Sequence, residues 1–191
     1  MLTVTSDDYG GGQQAVHHLV GLGHRRIGLI LQQEETLLRF RMAGYIDALR
    51  DSGIEPQSEW QFDPKIRMTV DGYRAWGYEA MKLWMENGWK ETGCTAIFVQ
   101  NDVAAMGVIE YLQEIGLNVP RDISIISFDG TSVCDYFNPR ITAIQVPLHQ
   151  IGVYATEALI RQIRDGEKVD AIMTLPTKVK EGCSTAPPAS G

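Results

Sequence analysis

The sequence predicts an α/β fold whose mostly parallel sheet carries helices on both faces. The stretch from Thr95 to Asp129 says so first. It reads as an apolar strand (Ala96 to Val99), a polar turn (Gln100 to Asp102), a helix (Val103 to Ile115), a second turn (Gly116 to Asp122) and a second apolar strand (Ile123 to Phe128). Two β-branched runs joined through one helix make a βαβ unit, which requires parallel strands and a right-handed crossover. The rest of the chain repeats that alternation with glycine or proline between elements, as α/β proteins do. At 191 residues, with 44% hydrophobic and 21% charged, the chain can bury a real core.

Leu2 to Thr5 alternates weakly, as a short strand end does, and Ser6 to Gly12 is a polar, glycine-rich turn. The sheet thus lacks a strong opening strand, as if the chain began within a domain. A helix follows with Val16, Leu19, Val20 and Leu22 on one face, ended by Gly21 or Gly23 as the left-handed residue. Gly10 to Gly12 match neither the dinucleotide fingerprint nor the P-loop spacing, so a flexible strand-to-helix joint is expected there rather than a phosphate cradle. Ile27 to Leu31 reads as a buried strand, and Thr36 to Arg50 as an amphipathic helix carrying Met42, Tyr45, Ile46 and Leu49. Trp60 to Phe62 is a short strand, and Asp63 to Thr69 a loop of unspecified shape.

Val70 to Trp84 is helical, with Tyr73, Trp76, Ala80, Met81 and Trp84 at three- and four-residue steps; core packing is the default for that stripe. Beyond the central unit, Val133 to Phe137 is a helical turn and Ile141 to Val146 a strand. Pro147 opens a helix that runs through Ile151, Ala155, Ala158, Leu159 and Ile163 to Gly166, because proline in a first turn forfeits no hydrogen bond. Ala171 to Leu175 and Lys178 to Lys180 read as a last strand pair interrupted by Pro176. Residues 185–191 are expected to be a disordered tail.

The formal charge of −7 argues against extended contact with nucleic acid phosphates, so this chain by itself is not expected to hold DNA. Cys94, Cys134 and Cys183 are far apart and form no C-x-x-C, which supports neither a disulfide framework nor a zinc site and suits a reducing compartment. No apolar run approaches the roughly 18 residues of a membrane span, and the start has no basic-then-apolar leader. A cytoplasmic protein without membrane contact is the expectation. His17 and His18 point apart on a helix and His24 lies beyond its glycine stop, so no i, i+4 pair suggests a metal. G-x-S-x-G is absent, and no base, nucleophile or metal accompanies Asp129; neither a catalytic residue nor a cofactor is nominated.

Six segments in order carry a family resemblance: AVHHLVGLGHRRIGLI (Ala15 to Ile30), RMAGY (Arg41 to Tyr45), TAIFVQNDVAAMG (Thr95 to Gly107), GLNVPRDISIISFD (Gly116 to Asp129), PRITAIQVP (Pro139 to Pro147) and Ile151-Gly152. Together they resemble the effector-binding region of the LacI/GalR family of bacterial transcription regulators. The departures are Ser127 where the family has glycine, Gly130 where it has Asp or Asn, Ala143 in its Thr-Thr pair, and Glu181 to Ser184 in place of its Arg-Xaa-Ser. The resemblance implies a periplasmic-binding-protein-like type I fold: a C-terminal lobe (7–146), a return helix of an incomplete N-terminal lobe (147–166) and closing strands (167–184), within an effector-binding unit of 1–184. It also implies a small-molecule effector such as a sugar, DNA contact only through a helix-turn-helix that has no counterpart in this sequence, and a homodimer. Tyr73, Trp76, Trp84, Tyr136 and Phe137 are its expected contacts. A secreted sugar-binding protein of the same architecture and a small α/β enzyme are the alternatives.

Open α/β sheets bind ligands past the carboxyl ends of their strands, which is where Asn101, Asp102 and Asp129 fall. By the family's pattern, the effector contacts are Arg41, Asn101 and Asp129, with Tyr9 as an aromatic wall. An arginine fork and a carboxylate can each bridge neighbouring hydroxyls, which agrees with that assignment. Asp102 is expected instead to cap the helix from Val103, and a surface ion pair is the competing account of Arg41.

Overall fold

The computed structural model describes residues 3–32, 36–66, 72–166 and 171–189. Seven helices and eight strands alternate there in the predicted order. They are β1 (Thr3–Ser6), α1 (Asp8–Gly21), β2 (Ile27–Ile30), α2 (Thr36–Asp51), β3 (Gln61–Phe62), α3 (Gly72–Glu86), α4 (Trp89–Thr92), β4 (Ala96–Val99), α5 (Asp102–Glu114), β5 (Ser124–Asp129), α6 (Val133–Tyr136), β6 (Thr142–Gln145), α7 (Leu148–Asp165), β7 (Ile172–Leu175) and β8 (Lys178–Lys180). A 3₁₀ turn at Ser58–Trp60 precedes β3, and α4 went unread because it is a single turn. The parts of the predicted Asp63 to Thr69 loop and Val70 helix start that fall at 67–71 lie outside the described residues, as do 167–170 of the closing region.

The main sheet has the order β3-β2-β4-β5-β6-β8, parallel throughout except for β8, which runs antiparallel to β6. Residues of β2, β4 and β5 up to Phe128 are buried, as expected of strands covered on both faces. Helices α1 and α2 pack against each other, as do α3 and α5. Right-handed crossovers place the two pairs on opposite faces, because β2 leads one way along the sheet to β3 whereas β4 leads the other way to β5. The chain therefore reverses its direction of travel at the neighbouring strands β2 and β4. That is where such sheets open a crevice at their carboxyl edge.

β1 and β7 form a separate parallel pair, in register from Thr3 with Ile172 to Ser6 with Leu175. Helix α7 packs against β1, and its apolar Leu159 and Ile163 are exposed. The closing strands are thus not paired with each other: β7 joins β1, and β8 joins the main sheet.

Three sequence expectations need correction. Gly10 to Gly12 are not a joint; they form the first turns of α1, where a side chain on Gly11 would strike the Phe128 ring and one on Gly12 the Arg41 backbone. Trp76 and Trp84 are buried, with Trp84 stacked on Phe62 at 5.1 Å and edge-on to Trp89 at 4.8 Å, so neither is available to a partner subunit. Finally, residues 185–189 are not a loose tail. Ser184 Oγ accepts from Thr142 N (2.8 Å) and donates to Ile125 O (2.6 Å). Ala186 exchanges hydrogen bonds with the Ser124 hydroxyl, and its carbonyl meets His24 Nε2 at 2.9 Å. This strap closes the amino-terminal edge of β5 and β6, away from the crevice; residues 190 and 191 lie outside the described residues.

Candidate functional site

The glycines of α1 shape the site. With no side chains at Gly11 and Gly12, α1 lies close on β5 and α2, and its first residue, Asp8, comes against Arg41 of α2. Arg41 Nε donates to Asp8 Oδ1 at 2.6 Å and Nη1 donates to the Gln100 carbonyl at 2.5 Å. Its guanidinium carbon lies over Phe128, 3.6 Å from the ring centre, a cation–π contact. Nη2 is left facing Asp129 Oδ1 at 3.7 Å, within Coulombic reach but beyond a hydrogen bond. Arg41 is only 12% exposed, so the surface ion pair weighed from sequence does not describe it.

Asp129 ends β5 with φ at +101°, a backbone region that disfavours side chains, and Gly130 follows in the left-handed region. Such strain persists where the surroundings fix it, often around ligand sites. Burial pushes the Asp129 carboxyl up to about 6; Arg41 pulls it down, while Asp102 and Asp8 reinforce the rise. Its side chain keeps 37% exposure and faces a cavity of about 670 Å³ whose wall includes Thr131, Gln145, His149, Thr177 and Lys178.

Asn101, not Asp102, caps α5: its side-chain oxygen accepts from Ala104 N at 2.8 Å, while Asp102 is buried and turned back toward β5. Asp102 accepts from Ser127 Oγ, Gly130 N, Thr131 N and Thr131 Oγ1, which fixes the loop after Asp129. Tyr9 is 38% exposed, bonded through its hydroxyl to Asp47 at 2.9 Å. It lines a second cavity of about 390 Å³ with Asp8, Phe40 and residues of β1 and β7. The structure therefore brings Asp8 and Asp129 together around Arg41, places Tyr9 with Asp8 on the wall of the second cavity, and leaves Asn101 on the neighbouring strand end.

Sequence reasoning missed Asp8 and Gln100. Buried Gln100 accepts from Gln32 N through Oε1, and among the described residues its Nε2 has no partner, nor has Gln32 Oε1 just past the end of β2. Unpaired buried amide atoms are rare enough to call for an explanation, and two at the reversal point suit a polar ligand. Among the described residues, no cluster of three or more His, Cys, Asp or Glu could hold a metal ion, and no helix is long and apolar enough to cross a membrane.

Residues 16–185 match the model of the periplasmic binding protein-like domain. The chain is 32% identical over 156 residues to the HTH-type transcriptional repressor PurR of Photobacterium profundum, covering 81% of this chain and 44% of that protein. It is 30% identical over 175 residues to the NTD biosynthesis operon regulator NtdR of Bacillus subtilis, covering 91% of this chain and 50% of the relative. It thus spans about half the length of these curated relatives. A LacI family transcriptional regulator from Enterococcus faecium, solved with ribose bound, superposes with a TM-score of 0.83 at 28% identity, over 96% of this chain and 65% of that one. The chain belongs to the periplasmic binding protein-like domain family, in the form carried by LacI-type transcriptional regulators.

Proposed function

We propose that the chain is the effector-sensing domain of a LacI-type regulator and takes a sugar or related polyhydroxylated molecule at the carboxyl edge of the main sheet. The observation that carries this reading is the Asp8–Arg41–Asp129 chain at the reversal point, with a cavity on either side. Asp129 accepts hydrogen bonds from hydroxyls, Arg41 offers Nη2, Asn101 offers its amide nitrogen, and Tyr9 supplies an apolar face from the second cavity. The bound ribose of the Enterococcus faecium relative supports a small polyol as the ligand class. DNA contact belongs to a helix-turn-helix elsewhere in a longer protein, the work is cytoplasmic and not enzymatic, and the protein acts as a homodimer.

Calorimetry on the complete gene product with its effector tests the site. Asp129→Ala and Arg41→Ala are each expected to cost about 1.5–3 kcal/mol, roughly ten- to a hundredfold in affinity, since each removes a charged hydrogen-bonding partner. Unchanged affinity in both variants would refute the assignment.

A further inference from the structure

The charges around this edge do not balance. One guanidinium, Arg41, stands among three carboxylates: Asp8, Asp102 and Asp129. Asp8 is almost wholly buried, takes Arg41 Nε at 2.6 Å and is steadied by Ser6 Oγ at 2.7 Å. Asp102 is buried on hydrogen bonds from uncharged donors only. The nearby cation Lys180 is occupied by Asp135 at 2.9 Å and by the Gly130 and Thr131 carbonyls. Lys178 and His149 lie on the wall of the larger cavity with Asp129 but bond to none of the three. Gln100 Nε2 and Gln32 Oε1, past the ends of β4 and β2 and without a partner among the described residues, point independently to a polar ligand.

We propose that Asp8 sets the charge of the effector site: by claiming Arg41 Nε at 2.6 Å it leaves Asp129 only partly compensated, with Nη2 at 3.7 Å, so the site selects a neutral or amine-bearing polyol over a phosphorylated or carboxylated one. This rests on the carboxyl edge being the effector site. A ligand amine would supply the missing positive charge beside Asp129, whereas a phosphate would meet like charge in a partly desolvated crevice, and like-charge juxtaposition is a strong means of rejection. Burial is the main cause of the raised Asp129 carboxyl; Arg41 opposes it, and Asp102 and then Asp8 add to it. Asp8 touches Arg41 rather than the ligand, so its part is that of a positioning residue.

The test uses D-glucosamine, D-glucose and D-glucose 6-phosphate as probes of one skeleton, titrated into wild-type chain, Asp8→Asn and Arg41→Gln. The Asp129 carboxyl titration is followed by NMR in each. Wild type is expected to favour glucosamine over glucose 6-phosphate by about tenfold or more. Asp8→Asn keeps the oxygen facing Arg41 Nε but removes the charge. It is expected to narrow or invert that preference and to lower the Asp129 midpoint, while Arg41→Gln raises the midpoint. Equal or tighter binding of glucose 6-phosphate by wild type overturns the proposal while leaving the site standing. An Asp129 midpoint that Asp8→Asn and Arg41→Gln do not move in opposite directions overturns it whichever probe binds, as does a midpoint indifferent to Arg41→Gln should Asp8→Asn fail to fold. No binding of any probe, with the midpoints moving as expected, refutes the sugar-site reading and with it the selectivity for polyols.

Discussion

Asp129 carries the clearest pH signature of any single residue. Its carboxyl, raised to about 6, is ionised near neutral pH and protonated a little below it. A hydroxyl-bearing ligand is held best by the ionised form, which accepts from two hydroxyls at once. Affinity should therefore be level above about pH 7 and fall as pH drops through 6, and Asp129→Asn should bind weakly with no such fall. Calorimetry across that range decides; a flat profile in wild type would remove Asp129 from the ligand contacts. The sequence exposed Arg41 and Asp129 because both sit in local motifs, but not Asp8, whose partner lies 33 residues away. An aspartate at the start of a helix already has a sufficient local reason to be there. The cap of α5 was placed on Asp102 rather than Asn101 for a related reason: both are good caps, and the strand-end backbone, extended at Asn101 (φ −156°, ψ 169°), decides between neighbours.

Among the elements, helix pairs are held at glycine contacts that no periodicity reveals. A side chain on Gly44 would run into the Tyr9 backbone, and one on Gly107 into the Arg74 carbonyl between α3 and α5, as at Gly12 against Arg41. Gly12→Ala and Gly107→Ala should each destabilise by about 1–3 kcal/mol, the usual range for overpacking. Gly21→Ala has open space around it and should stabilise by about 0.4–1 kcal/mol, as alanine does in a compatible helical position. Urea unfolding separates the two classes, and equal effects at all three positions would contradict the close crossings. Strands and long helices were legible because apolar alternation and three- and four-residue spacing mark them directly. A glycine run gives no such mark: it reads as a turn until the neighbouring helix is in place. The aromatic stripe of α3 shows the same limit, since periodicity told that Trp76 and Trp84 share a face but not that the face is closed by Phe62 and Trp89. Of the expected subunit contacts, Tyr136 is the one at 88% exposure. If the proposed homodimer uses this region, Tyr136→Ala should weaken the dimer in sedimentation of the complete protein, and an unchanged association constant would move the interface elsewhere.

At the scale of the molecule, the main sheet has one open edge and one fastened edge. The carboxyl edge holds the crevice, and the amino-terminal edge is fastened by the strap from Ser184 to Ala186, which composition alone marked as loose because its residues are small and polar. Ser184→Ala would strand Thr142 N and Ile125 O, two buried backbone groups, at a cost of about 1–3 kcal/mol for an unsatisfied partner. The strap also makes the fold sensitive to acid through His24, which is buried between Thr95 Oγ1 at 2.7 Å and the Ala186 carbonyl. Burial holds the His24 ring below its ordinary value, outweighing the upward pull of the Ala186 carbonyl, with His18 adding a smaller downward push. The unfolded chain therefore takes up a proton at a pH where the folded chain does not. The His24 contribution is complete above about pH 6.5 and declines as pH falls below it. Asp129 acts in the opposite sense, because its raised carboxyl makes the folded chain the better proton acceptor between its unfolded and folded values. The two are separated by working in an Asp129→Asn background. There, urea unfolding at pH 7.5 and 5.5 should show stability lost on acidification, and adding His24→Gln should reduce that loss, leaving the part due to His18, whose ring burial also lowers, while lowering stability at pH 7.5. An acid response that survives intact in the His24→Gln variant would show that the strap is not fastened through this ring.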